Sequence, residues 1–292
     1  KTFLLDWMQV YMEAQESAGK KDGSQIKIAM RILKDYAGEM VTLDQIDGDF
    51  CRGYITYLLT EYHPKGKDIS NYTLHNYYRA LNGALNSAVR KKKMKANPFN
   101  ELEKSEKIRK PESMRSYMTI EEVQALIDTP MPHEEYEIVK CAYLFSCFCG
   151  LRISDIIKLK WSDVFVDRGQ YRLAVSMKKT KEPIYLPLSP EALKWMPERG
   201  GKSSEDNVFD LPSANTIRMQ LKPWAKAAGI SKRFSYHTSR HTFATMMLTL
   251  GADLYTVSKL LGHADVKMTQ VYAKIINKKK DEAVNLVNGL FH

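Results

Sequence analysis

Only one stretch of this chain, VFVDRGQYRLAVSMKKTKEPIYLPLS at 164–189, carries strand signals, and nearly everything on either side repeats at helical period. Within it Tyr171, Leu173, Val175 and Met177 alternate with Arg172, Ala174 and Ser176, and Ile184, Leu186 and Leu188 resume the alternation beyond KKTKEP. Two short alternating runs joined by a polar turn predict a small antiparallel sheet. A chain with so little strand must bury its apolar surface mainly helix on helix, so the expected fold is mainly α.

The first hundred residues are periodic over Phe3 to Ser17, Gln25 to Tyr36, Leu43 to Tyr62 and Ser70 to Met94, with Gly, Pro and polar breaks between them. This predicts an all-helical domain over 1–103. RKKKMKANPFNELEKSEKIRK, at 90–110, carries nine basic and three acidic residues and an AsnPro stop, and its later part is read as a basic linker over 104–115. Thr119 followed by Glu122 is a capping box that opens a helix over Tyr117 to Thr129, so a second domain is expected over 116–292. An apolar helix from Tyr136 to Cys149 follows, then GLRISDIIKLKW, the strands, and helices to the end with breaks at Gly229, Gly251 and Gly262. A length of 292 residues suits two domains, each with its own core.

The 44 Lys and Arg against 34 Asp and Glu leave a net charge of +10, which favours a polyanionic partner. No apolar run approaches the roughly 20 residues that span a bilayer, and KTFLLDWMQVYMEAQ is amphipathic rather than a signal peptide, so a cytoplasmic protein without a membrane partner is expected. The opening Lys1 leaves room for a preceding segment. Cys51, Cys141, Cys147 and Cys149 form no CxxC pair and read as reduced core residues.

In HTSRHTFATMMLTLG, His237, Arg240 and His241 fall on nearly one helical face, with Phe243, Met247 and Leu250 as an apolar stripe. An arginine fork grips two phosphate oxygens, and a histidine exchanges protons near neutral pH, so the pair suits phosphoryl chemistry. The i, i+4 histidines would also suit a metal, but the Glu of HExxH and any nearby Cys or carboxylate cluster are missing, so no metal is expected. Farther on, LLGHADVKMTQVYAKI places His263 after a glycine and Tyr272 nine residues later, with Asp265 able to cap a new helix.

Taken in order, GLRISDIIKLKW, a lysine in a hairpin, HTSRH, LGH and VY resemble the tyrosine recombinase family of phage integrases and Xer-type resolvases, over Thr119 to about Ile276. The preceding helices resemble the family's SAM-like core-binding domain. The resemblance implies a site-specific DNA recombinase, serving a mobile element, that cleaves and rejoins DNA through a 3′-phosphotyrosyl intermediate without a cofactor. Arg152 and Arg240 would bind the nonbridging oxygens, with Asp155 orienting Arg152, and His263 would hydrogen-bond the phosphate. Tyr272 would attack, His237 would serve as acid-base group, and Lys179 would protonate the leaving oxygen, with Lys178 and Lys181 as near alternatives.

Double-stranded DNA sites are the implied partner, within a homotetramer that exchanges C-terminal tails. The tail's apolar stripe of Ala283, Val284, Leu286, Val287, Leu290 and Phe291 would dock on a neighbour or pack on its own domain. On or near the last helix of the first domain, Tyr77, Arg79, Arg90, Lys91, Lys92 and Lys93 are the DNA-binding candidates, beside Tyr72, His75 and Tyr78. Two other readings are a type IB topoisomerase and a non-catalytic regulator using HTFATMMLTLGADLYTVSKLLG as a helix-turn-helix.

Overall fold

Four α-helices build the first part of the computed structural model, which describes residues 1–111, 115–176 and 183–273. They are α1 (Leu4–Ser17), α2 (Gly23–Ala37), α3 (Gly48–Thr60) and α4 (Asn71–Arg90). Each buries a stripe at helical spacing: Leu4, Met8 and Met12 from α1, Ala29, Ile32 and Leu33 from α2, Cys51, Ile55 and Leu58 from α3, Leu81, Leu85 and Ala88 from α4. The Trp7 indole N–H donates to the Ala84 carbonyl at 2.8 Å, fixing α1 on α4. The continuous helix expected over Leu43 to Tyr62 is broken in two. Thr42 and Gln45 close a capping box on a single 3₁₀ turn, and Asp47 then accepts the Phe50 N–H at 2.8 Å to start α3 afresh.

The chain divides into two compact units, Lys1–Ser113 and Met114–His292. Ile108, within the segment read as linker over 104–115, is buried in the first unit's core beside Phe99 and Leu102, so part of that segment is anchored there. Arg90, Lys91, Lys92 and Lys93 are exposed at the end of α4, and Arg79 is exposed and paired with Asp22 at 3.3 Å. Tyr77 differs. At 7 % exposure its ring packs edge-on against Tyr62 inside the core, so it is a packing residue and not one offered to DNA.

The second unit runs α5 (Ile120–Asp128), α6 (Glu137–Cys149), α7 (Ile153–Ile156), β1 (Val164–Asp167), β2 (Gln170–Ser176), β3 (Pro183–Pro187), α8 (Pro190–Leu193), α9 (Ala214–Ala227), α10 (Tyr236–Thr249), α11 (Leu254–Leu260) and α12 (Lys267–Ala273). Thr119 and Glu122 form the expected capping box on α5. The sheet is antiparallel in the order β1-β2-β3, with Leu173 opposite both Val164 and Leu186. Leu173, Val175 and Leu186 face the core, whereas Tyr171, expected on the same face, is exposed beside the Arg168-Gly169 turn. The first strand was not expected as a separate element: four residues without a buried-exposed alternation carry no period to detect.

α6 is the central element, with Val139, Ala142, Tyr143, Leu144, Phe145 and Cys147 all buried, packed against α8, α9 and α10. All four cysteines are free, and burial pushes the Cys51 and Cys149 thiols up to about 12. Among the described residues no helix is long and apolar enough to cross a membrane. Lys179, Lys178, Lys181 and the tail's apolar stripe lie outside the described residues.

Candidate active site

The site is assembled by the way α6 ends and α10 is pinned beside it. Gly150 caps α6 in the left-handed region at φ 74°, and a β-carbon there would come within 2.6 Å of the Phe243 ring. The turn delivers Arg152 at the N-terminus of α7 in extended backbone, one helical turn from Asp155. Their charged groups stand 4.0 Å apart, a loose pair. Asp155 Oδ1 accepts from the Ser154 hydroxyl at 3.2 Å, and Oδ2 is buried without a hydrogen-bond partner.

The Tyr236 hydroxyl, at the start of α10, donates to the Ala142 carbonyl at 2.7 Å and lies 3.0 Å from Ser146 Oγ, clamping α10 to α6. One turn on, Arg240 is only 2 % exposed and donates to the Gly150 carbonyl at 2.7 Å and to the Leu261 carbonyl. Two of its five N–H groups are thus spent on orientation. Burial, and then the Arg152 cation, lower it to about 10, so it is still charged at neutral pH.

Asp253 caps α11 and Asp265 caps α12, accepting the Thr256 and Lys267 amides at 2.9 Å each. His263 sits between these helices with Nδ1 2.7 Å from Thr269 Oγ1. Tyr272 on α12 is 1 % exposed. Its hydroxyl oxygen accepts from Arg115 Nη1 at 2.9 Å and lies 2.5 Å from His241 Nδ1, and the Arg115 guanidinium stands 5.3 Å from the ring centroid. His237 is exposed, its ring stacked edge-on against His241 with centroids 4.5 Å apart.

Three histidines and three arginines share one field. Desolvation first, then Arg240, Arg152 and Arg115, hold His237 below its ordinary range. Desolvation followed by the same arginines lowers His263 to about 4, and desolvation followed by His237, Arg115 and Arg240 lowers His241 to about 3. All three are neutral at pH 7, beside three fixed cations. Such a place resists further positive charge and suits an oxyanion, which would offset the arginines and accept from their fixed N–H groups. Among the described residues no group of three or more His, Cys, Asp or Glu could hold a metal ion.

Two participants were absent from the expected set. His241 stood on the face that drew attention to His237 and Arg240, but spacing alone did not say which histidine meets the tyrosine. Arg115 had no signal, because its partner lies 157 residues away.

Comparison with known proteins places the chain in a family. A model described as the Phage integrase family matches residues 116–279, and one described as the Phage integrase SAM-like domain matches residues 3–109. A protein named tyrosine recombinase from Pseudothermotoga lettingae is 29 % identical over 242 residues, covering 75 % of this chain and 82 % of that protein. Tyrosine recombinase XerD of Halalkalibacterium halodurans is 34 % identical over 169 residues, 54 % of this chain, and the match spans only 56 % of that protein. In fold the chain is similar to the Tn1549 transposon integrase in complex with a circular intermediate DNA, with a TM-score of 0.71 at 17 % identity over 93 % of this chain and 95 % of that one. It is also similar to a lambda integrase dimer bound to a COC′ core site, with a TM-score of 0.66 at 20 % identity over 91 % and 97 % of the two chains.

Proposed function

The chain belongs to the phage integrase family of tyrosine recombinases, and on that premise we propose that it exchanges DNA strands at specific sites by the covalent attack of Tyr272 on a backbone phosphate. The observation that carries the reading is the common electrostatic field of Arg152, Arg240, His237 and His263, four residues drawn together from three segments of the chain. Attack on a phosphodiester gathers charge on the nonbridging oxygens, and preoriented cations stabilise that charge without reorganising.

In this reading Arg152 and the unspent N–H groups of Arg240 hold the nonbridging oxygens, with Asp155 beside Arg152. His263 donates a further hydrogen bond, and His237 acts as acid-base group at the exposed rim. The Tyr272 oxygen forms the bond to phosphorus, the bond to the 5′ oxygen breaks, and Lys179 supplies the proton that the 5′ oxygen leaves with. The 3′-phosphotyrosyl link conserves the bond energy, so a second 5′ hydroxyl can reverse the step with no nucleotide and no metal.

The partner is double-stranded DNA. The solved complexes of similar fold hold DNA as a circular transposon intermediate and as a dimer on a core site. By analogy we assign this chain to the movement of a mobile element in the cytoplasm, as a homotetramer in which the C-terminal tail reaches a neighbour. Arg79, Arg90, Lys91, Lys92 and Lys93 would contact phosphates from the first unit.

A recombination assay tests the proposal. DNA trapped covalently on the protein is sequenced, and the recovered site is cloned twice into a supercoiled plasmid. Exchange between the two copies is expected. Relaxation of site-free supercoils with no exchanged product would make the protein a type IB topoisomerase instead.

A further inference from the structure

A neutral histidine donates through only one ring nitrogen, so a phosphate-binding role for His263 requires its proton to sit on the right one. The backbone is held first. Its N–H donates to the Ser258 carbonyl at 3.0 Å, which ties the residue to the end of α11. The side chain is held from the other direction: Nδ1 lies 2.7 Å from Oγ1 of Thr269, a wholly buried residue on α12.

Which of the two atoms donates is decided by what else the hydroxyl can reach. A buried hydroxyl places its proton on an acceptor or forfeits that hydrogen bond. Thr242 and Thr245, buried on α10, donate to backbone carbonyls, Thr242 to that of Thr238 at 2.9 Å and Thr245 to that of His241 at 3.0 Å. Thr269 is different. Among the described residues its hydroxyl has the ring nitrogen of His263 as partner and no carbonyl. Were Nδ1 to carry the hydrogen, the Thr269 proton would be buried with nothing to receive it. The hydroxyl therefore donates and Nδ1 accepts. Because the ring is neutral at pH 7, its single proton is then on Nε2.

We propose that Thr269 is a positioning residue that sets the tautomer and orientation of His263, leaving the Nε2 hydrogen as the one donated to a DNA phosphate. This rests on reading His263 as a phosphate donor and adds what fixes its proton. With the proton on the other nitrogen, or the ring turned, a lone pair would face the phosphate oxyanion, which repels it instead of binding it. Thr269 also stands one helical turn before Tyr272 on α12, so a single hydrogen bond registers the nucleophile's helix against the side chain that grips the phosphate.

The tautomer is read directly by long-range proton–nitrogen correlation NMR of the histidine rings at pH 7, with His263 assigned by its loss in H263A. The full chain should show Nε2 protonated and Nδ1 bare and hydrogen-bonded, and a protonated Nδ1 would overturn the proposal. In T269V, which keeps the volume and removes the hydroxyl, the Nδ1 resonance should move toward that of an unbonded nitrogen. Single-turnover adduct formation on a saturating nicked suicide duplex should fall by about tenfold in T269V, with Kd for DNA within about twofold of the parent, and T269S should recover most of the rate. In the H263A background T269V should add less than about a twofold loss, because Thr269 acts through that ring. An unchanged rate in T269V overturns the proposal, and so does a loss of equal size with and without His263. If T269V melts early, the ring spectra of the parent and of T269S decide alone. If the parent forms no adduct with any DNA, the recombinase reading fails, and the same spectra still decide whether Thr269 sets the tautomer.

Discussion

Arg240 is a cation almost wholly removed from water, and its charge is tolerated because two carbonyls, Gly150 and Leu261, accept from it. Arg240→Ala would leave both acceptors buried and unpaired, so it should cost about 2–4 kcal/mol of stability as well as abolishing DNA cleavage, measured by urea unfolding and by adduct formation. The histidines give a second prediction. In the unfolded chain His241 and His263 take up a proton near pH 6.5, whereas in the fold they stay neutral down to about 3 and about 4. Between those values the unfolded state binds more protons, so stability is greatest above roughly pH 7 and falls as the pH drops toward 4. The melting temperature should be lower at pH 5 than at pH 7 by roughly 5 °C, and His241→Gln should remove about half of that difference, because at pH 5 both histidines are neutral in the fold and protonated in the unfolded chain. At this scale the residue types of the pocket were legible, since Arg152, His237, Arg240, His263 and Tyr272 stand in recognisable local motifs. The contact between Arg115 and Tyr272 was not, because it is made by tertiary folding and leaves no spacing to read.

Among elements, the join between α6 and α7 is the most demanding. Gly150 combines a left-handed backbone with a contact to Phe243 that has no room for a β-carbon, and its carbonyl orients Arg240. Gly150→Ala should therefore destabilise by about 2–4 kcal/mol, combining backbone strain with a forced shift of Phe243, and should lower cleavage more than DNA binding. Thermal melts and single-turnover adduct formation check the two halves of that statement. The long helices were readable from their apolar stripes, and α5 from its capping box. The break at Asp47 was missed because residues 43–62 keep an apolar period while a side-chain cap restarts the helix. β1 was missed because so short a strand shows no alternation. Tyr77 shows the same limit from the other side: an aromatic on an amphipathic helix reads equally as a stacking surface or as core, and only packing against Tyr62 decides.

For the molecule as a whole, two units are readable from the chain's punctuation, but the exact position of the division is less so, because Ile108 is an apolar residue set among charges in the segment read as linker and still joins the first core. One chemical event in the second unit decides the function. A nicked duplex carrying the protein's site should trap a covalent complex in which a 3′ phosphate is bonded to Tyr272, located by peptide mass spectrometry, and Tyr272→Phe should bind the same DNA with no adduct. DNA that shifts with both proteins and forms an adduct with neither would contradict the account and leave a DNA-binding protein without strand-cleaving chemistry.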